Sequence, residues 1–196
     1  MVKENKKLMA EAIEALSGNW GLAVVTFLVY TIIVTIVQLI PTIGSVILIF
    51  IQGPMLIGVA MFSLSLSRKE EARLEQIFDG FQNYGRALGA YLLMVVFILL
   101  WMLLLIIPGI IAAIAYSQTF YILAEDDTID GMGALEKSKQ MMDGFKWKYF
   151  CLGLRFIGWT LLCVLTFGIG FLWLIPYMQV SKAKFYEDIK NLNIAE

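Results

Sequence analysis

The chain has 196 residues, of which 60% are hydrophobic and 16% are charged, and its mean hydropathy is +0.78. Soluble domains are closer to roughly 45–50% apolar and 25% charged, so the composition predicts an integral membrane protein, and a net charge of −1 gives no basic field for nucleic acid. Histidine is absent, which removes the commonest metal ligand and proton carrier at neutral pH.

The first predicted unit is an amphipathic helix followed by a hairpin of two membrane spans. Residues 5–16 carry apolar side chains on one stripe, which is typical of a helix lying in the membrane interface or against other helices. Residues 21–40 and 45–66 are then long apolar runs separated by a turn at 41–44. Because about 20 apolar helical residues cross a hydrocarbon core roughly 30 Å thick, both runs are predicted to be spans.

The second predicted unit repeats this order. Its amphipathic stripe is formed by Leu74, Ile77, Phe78 and Phe81. The third span is predicted over 88–107 and the fourth over 110–123, with a turn at Pro108-Gly109 because proline disrupts a helix interior. The fourth run is short, so a re-entrant segment is an alternative to a full crossing.

The third predicted unit has an amphipathic helix at 132–145 and a hairpin from Trp147 to Lys182, with its turn at Gly168-Ile169-Gly170. Residues 79–81 recur as 143–145, and the Gly109, Tyr116 and Gln118 spacing recurs at Gly170, Tyr177 and Gln179. We therefore predict one all-α membrane domain over 1–196, with six transmembrane helices in three repeat units at about 5–66, 70–124 and 132–190.

Charge sets the predicted orientation. All Lys and Arg except Arg155 lie before the first span, between spans two and three, between four and five, or after six. Since Lys- and Arg-rich short loops stay in the cytosol, both termini and all the amphipathic helices are expected on the cytosolic side.

A likeness to a known protein family is carried by Ser138, Met141, Met142, Gly144, Lys146, Phe150, Phe156 to Trp159, Gly168 to Gly170, Trp173, Pro176, Tyr177, Phe185 and Tyr186, with Pro108 to Ile111, Tyr116 and Ala124 to Asp126 upstream. By these residues the chain resembles a family of small bacterial multi-pass proteins known as domain of unknown function 975. The resemblance implies an integral membrane protein of Gram-positive-type bacteria with no assigned activity. It also implies a small residue, usually serine, where this chain has Arg155.

A polar path through the membrane is one hypothesis for a site. Arg155 lies about 12 Å inside Trp147 along the predicted helix, and an ionisable residue at such a depth is a functional candidate. The path would be completed by Gln52, Gln118 and Gln179. The alternatives are an arginine that extends to the interface and glutamines that hydrogen-bond neighbouring helices.

Lipid headgroups are the other predicted ligands, with contacts at Lys137, Lys139, Lys146 and Lys148. The acidic run 125–127 could bind a cation through carboxylate oxygens, although a solvated segment that caps the next helix is the favoured interpretation. Cys151 and Cys163 are about 18 Å apart along one helix and cannot form a disulfide with each other.

Nucleophile elbows, Walker loops and metal-ligand clusters are absent from the sequence, so no catalytic residue, cofactor or metal is predicted. The favoured hypothesis is a non-enzymatic membrane protein whose cytosolic amphipathic helices organise lipid or dock a protein partner. The alternatives are a small transporter or channel and a peptide-export accessory or immunity protein.

Overall fold

The structure is a computed structural model that describes residues 3–41 and 43–194, with side chains to Leu192. Its described residues are almost entirely helical and form no strand. The helices are α1 (Asn5–Leu16), α2 (Trp20–Gln38), α3 (Ile43–Arg68), α4 (Gln76–Asp79), α5 (Tyr84–Leu104), α6 (Ile106–Ala115), α7 (Thr119–Glu125), α8 (Gly131–Met141), α9 (Lys146–Leu165) and α10 (Phe171–Ile194).

Five helical segments of the described chain are long and apolar enough to cross a membrane, which indicates a membrane protein. They are α2, α3, α5, the consecutive helices α6 and α7, and α9. The sixth predicted span is not confirmed. In α10 only eleven residues precede the first charge, Lys182, and they measure about 17 Å against a core of roughly 30 Å.

The molecule has two layers, an apolar layer that contains the candidate membrane helices and a charged layer that contains almost all of the charged residues. In α2, α5 and α9 only three, two and three residues are buried, and most apolar side chains are exposed or partly exposed on the outer surface, as expected for lipid-facing helices. By contrast, α3 is almost fully buried from Gly53 to Ser67, where it packs against α1, α7 and α10. We call residues 3–16, residues 67–86, residues 125–148 and α10 from Lys182 the charged layer, because it holds every Lys and Arg except Arg155.

The amphipathic segments do not all form free surface helices. α1 buries Leu8, Ala12 and Leu16 against α3 and α10, so it lies on other helices. In the second segment only Gln76–Asp79 is helical, and Phe78 and Phe81 are exposed. The predicted amphipathic stripe of Leu74, Ile77, Phe78 and Phe81 therefore does not lie on one helix. The helical part, α4, packs onto α3 at Gly58, where any Cβ would overlap the Ile77 backbone.

The turn predicted at Pro108-Gly109 was also misplaced. The chain breaks at Leu105, whose backbone is extended (φ −161°, ψ 146°), and α6 starts at Ile106. Pro108 therefore lies in the first turn of α6. The first N–H groups of a helix have no partner inside it, so a proline there removes no hydrogen bond.

Three glycines allow consecutive helices to approach closely at the outer turns, which are the turns at the end of the molecule away from the charged layer. Gly44, Gly109 and Gly170 each lie against the residue seven positions earlier, and a Cβ at any of them would overlap that neighbour. The neighbours are Val37, Met102 and Cys163. Each outer turn is thus closed by the same contact at the same spacing.

Candidate functional site

The side chain of Glu125, at the end of α7, holds the charged layer together. Its carboxylate accepts hydrogen bonds from Tyr186 Oη at 2.6 Å and from Lys190 Nζ at 2.7 Å, both in α10. It also pairs with Arg68 at the end of α3. Arg68 in turn pairs with Glu187, at 2.5 Å. We call these five residues the Glu125 clasp, and they connect α3, α7 and α10.

The clasp is electrically balanced, since two cations face two carboxylates. The Glu125 side chain is only 14% exposed, so its ion pairs are partly shielded from water. Burial raises the pKa of the Tyr186 phenol well above its usual value, and Tyr186 therefore stays protonated and donates to Glu125. The arrangement stabilises the joint between three helices and offers no unsatisfied acid or base for chemistry.

The acidic run has a different protein partner for each carboxylate. Asp126 accepts hydrogen bonds from the backbone N–H and the hydroxyl of Thr128, which lower its pKa, and Asp127 pairs with Arg86 at 3.2 Å. Asp130 caps α8 by accepting from the Gly133 N–H at 2.9 Å. Within the described ranges no group of three or more possible metal ligands forms. The carboxylates serve turns, caps and ion pairs.

Among the residues that the structure describes, no hydrogen bond joins any two of the four residues of the predicted polar path. Gln52 donates to the Tyr30 hydroxyl at 3.0 Å, and Gln118 is fully buried and donates to Ser117 at 2.8 Å. The Gln179 backbone carbonyl accepts from Tyr121 at 3.4 Å, while Arg155 is exposed on the surface of α9. The Gln52 and Gln118 side chains thus have different partners.

The four predicted headgroup contacts divide into two kinds. Lys137 and Lys139 are exposed on α8, and Lys146 is 34% exposed and pairs with Asp143 at the surface. Lys148 is engaged inside the protein, because its Nζ lies 3.0 Å from Asp188 and 5.4 Å from the centre of the Phe185 ring. Three lysines are therefore placed to meet an external anion, and Lys148 is not.

An apolar groove in the surface was not anticipated from the sequence. It encloses about 400 Å³ between α9 and α10, beside α1 and the start of α2. We call it the aromatic groove, and its defining residues are Ile13, Trp20, Trp159, Leu162, Trp173 and Tyr177. The tryptophans are visible in the sequence, but only the pairing of α9 with α10 shows that they share one surface.

The Glu125 clasp was missed for the same reason. Tyr186 and Lys190 are one helical turn apart and share a face, which the sequence does show. Their common partner Glu125 lies 61 and 65 positions away along the chain. Such a pairing depends on how separate hairpins pack, and local periodicity carries no signal for it.

Comparison with protein families gives one match, to the family described as "Protein of unknown function (DUF975)", over residues 1–115 and 102–193. The two matched ranges together cover nearly the whole chain. No curated protein matches the sequence, and no solved structure matches the fold.

Proposed function

The chain belongs to the DUF975 family, and we propose that it is a non-enzymatic multi-pass protein of the bacterial cytoplasmic membrane that organises anionic lipid. In this proposal the charged layer and both termini face the cytosol. The lysines of α8 and the start of α9 contact the lipid headgroups of that leaflet.

The observation that carries the proposal is the set of accessible lysines on α8 and at the start of α9. Lys137 and Lys139 are exposed on α8, and Lys146 directly precedes Trp147, which is 72% exposed at the start of the apolar helix α9. Tryptophan favours the membrane–water interface, and basic residues near an anionic leaflet contribute about 1 kcal/mol each to binding. This edge of the charged layer therefore suits the headgroup region.

The proposed orientation is supported by how the two ends of the chain meet. The backbone N–H of Lys3 donates to Asp188 at 3.0 Å, so the start and the end of the described chain lie on one side of the molecule. We further propose that the apolar half of α10 makes a sixth crossing alongside α9, with a thinner hydrocarbon layer around it. The contact of Phe156 with Tyr177, 5.2 Å between ring centres, supports this antiparallel pairing.

The threefold repeat is part of the same proposal. The close contacts of Gly44, Gly109 and Gly170, each with the residue seven positions earlier, support three related hairpins. The units remain about 5–66, 70–124 and 132–190, although the amphipathic segment of the second unit has been reduced to the short α4.

Charge reversal tests the proposed function. In the purified full-length protein, Lys137→Glu, Lys139→Glu and Lys146→Glu together should lower the number of phosphatidylglycerol molecules retained in native mass spectrometry. The matched control replaces the same lysines by arginine, which keeps the charge and should keep the lipid. Equal retention by the glutamate variant and the wild type would refute a headgroup role for this surface.

A transporter is the alternative function, and among the described residues no hydrogen bond joins two members of the polar path to support it. Docking of a cytosolic protein and a role in peptide export or immunity have no comparable observation in their favour. They become relevant if the charge-reversed variant keeps its lipid.

A further inference from the structure

The aromatic groove lies on the same face of α9 as Arg155. Residues 155, 159, 162 and 166 are spaced i, i+4, i+7 and i+11, which places them on one side of a helix. Trp159, Leu162 and Thr166 line the groove, so Arg155 stands one turn, about 6 Å, before its nearest wall residue. The side chains of a helix lean towards its N-terminus, and this direction points Arg155 towards the charged layer.

The depth of Arg155 can be read from the pairing of α9 with α10. Phe156 contacts Tyr177, and Cys163 contacts Gly170, so the residue of α10 level with Arg155 is Met178. Lys182, the first charge of α10, is four residues further on, or about 6 Å. Arg155 is therefore within one helical turn of the charged layer, where its guanidinium can meet a lipid phosphate.

Arg155 has no hydrogen bond or ion pair among the residues that the structure describes, and it is exposed. The sequence of α9 contains no carboxylate. In α10 the Glu187 and Asp188 carboxylates are already paired with Arg68 and Lys148. The Arg155 guanidinium beside the groove is therefore free to bind an anion from outside the protein.

The walls of the groove are apolar and face outwards. Trp159, Leu162 and Trp173 are each between 51% and 55% exposed, and their helix α9 is one of the five candidate spans. A volume of about 400 Å³ is within the range of small-molecule sites. In a membrane, the molecules that reach such a surface are lipids, and their acyl chains match its chemistry.

We infer that the aromatic groove and Arg155 form a binding site for one anionic glycerophospholipid. The Arg155 guanidinium holds the phosphate by paired N–H···O bonds, for which its planar fork is suited. One acyl chain lies in the groove along Trp159 and Leu162, with Ile13 and Trp20 at the sides. The inference deepens the proposed function, and it depends on α9 lying in the bilayer but not on the lysines of α8.

Native mass spectrometry of the full-length protein tests the site, with phosphatidylglycerol and phosphatidylcholine of identical chains as probes. Arg155→Gln should lower phosphatidylglycerol affinity about fivefold, the effect of about 1 kcal/mol per basic residue, and should reduce the preference for it over phosphatidylcholine. Arg155→Lys should keep most of that preference. Preference unchanged by Arg155→Gln would overturn the inference.

Filling the groove separates chain binding from headgroup binding. Leu162→Trp should lower retention of both lipids, because the larger ring occupies the space of the acyl chain. Leu161→Trp is the matched control, since Leu161 is its neighbour, is 63% exposed and does not line the groove. Equal lipid retention by both tryptophan variants would show that the groove holds no chain and overturn the site.

The lysine surface and the groove site can be tested independently of each other. Loss of lipid in the lysine variant with an unchanged response to Arg155→Gln supports the charged surface and rejects the groove site. The reverse result supports the groove site and rejects a role for the lysines. Helix content measured by circular dichroism for each variant ensures that the compared proteins are folded.

Discussion

The Tyr186 hydroxyl donates to the Glu125 carboxylate across 2.6 Å and joins α10 to the end of α7. The same carboxylate also forms ion pairs with Lys190 and Arg68, so one side chain connects three helices that are far apart in sequence. Other polar contacts also join distant elements, among them Lys69 with Glu14 and Lys184 with the Ser67 carbonyl. The clasp fixes the arrangement of its three helices in the charged layer, where ion pairs are partly shielded from water.

Removing the charge of Glu125 should loosen this joint. Glu125→Gln leaves Arg68 and Lys190 without their shared anion, and we expect a loss of about 2 kcal/mol in the free energy of unfolding. That loss corresponds to a fall of roughly 4–8 °C in the midpoint of thermal unfolding in detergent. Glu136→Gln, an exposed glutamate of α8, is the control and should leave the midpoint unchanged. Equal midpoints for the two variants would contradict a stabilising clasp.

The close approach of α4 to α3 makes Gly58 intolerant of any side chain. A Cβ at Gly58 would overlap the backbone of Ile77, and a backbone cannot turn aside as a flexible side chain can. Gly58→Ala is expected to destabilise the protein by about 3 kcal/mol, at the upper end of overpacking costs. Gly153→Ala has no neighbour within 4 Å and should stabilise α9 slightly through helix propensity. Thermal unfolding of the two variants distinguishes packing from propensity, and a Gly58→Ala protein as stable as Gly153→Ala would be inconsistent with the packing.

The break between α6 and α7 depends on Ser138 of α8. Its buried hydroxyl accepts from the Gln118 N–H at 3.1 Å and donates to the Ala115 carbonyl at 2.8 Å. Ser138→Ala should cost about 1–3 kcal/mol, because it leaves backbone groups of the break unsatisfied.

The control for Ser138 is Ser63→Ala. Ser63 is equally buried, but its hydroxyl donates only to the Val59 carbonyl of its own helix. Unfolding in denaturant should show the larger loss for Ser138→Ala, and a larger loss for Ser63→Ala would contradict this account of the break.

Cysteine labelling tests the proposed orientation. In a background with Cys151 and Cys163 replaced by alanine, a membrane-impermeant maleimide added to right-side-out vesicles should label Phe167→Cys, which is fully exposed in the last outer turn. Lys137→Cys should react only after the membrane is permeabilised. The opposite pattern would invert the proposed topology.

A cysteine placed near the end of α10 tests the proposed sixth crossing. Asn191→Cys lies near the end of α10 and is exposed. It should stay protected from the external maleimide if α10 crosses, and labelling from outside would reduce the protein to five spans with its C-terminus outside the cell.

The long apolar runs could be predicted closely from the sequence. Residues 21–40 were expected to span and α2 is Trp20–Gln38; the run from Trp147 corresponds to α9, Lys146–Leu165. Pro108 misled the prediction because proline ends a helix interior but is accommodated in a first turn. The sixth span is not confirmed, because α10 is one continuous helix that passes from the apolar layer into the charged layer and its apolar run is shorter than a bilayer core.

The sequence predicted the candidate sites less completely than it predicted the spans. Local spacing could place Lys137 and Lys139 on an exposed helix, and the structure has them there. It could not show that Lys148 faces Asp188 or that Glu125 faces Tyr186, since those pairs are 40 and 61 positions apart in the sequence. It also could not show that the Gln52 side chain donates to Tyr30 and the Gln118 side chain to Ser117.

The outer turns at Leu39–Ile43, Leu105 and Thr166–Gly170 contain no Asp, Glu, Lys or Arg. In the proposed topology, no ionised side chain therefore has to be carried through the hydrocarbon during biogenesis, a passage that costs several kcal/mol per charge. Each pair of helices can enter the bilayer as one loop, while the basic residues on either side stay behind. The order of synthesis would then deliver the three loops one after another, and the contacts of Glu125 would close only when the last of them has arrived.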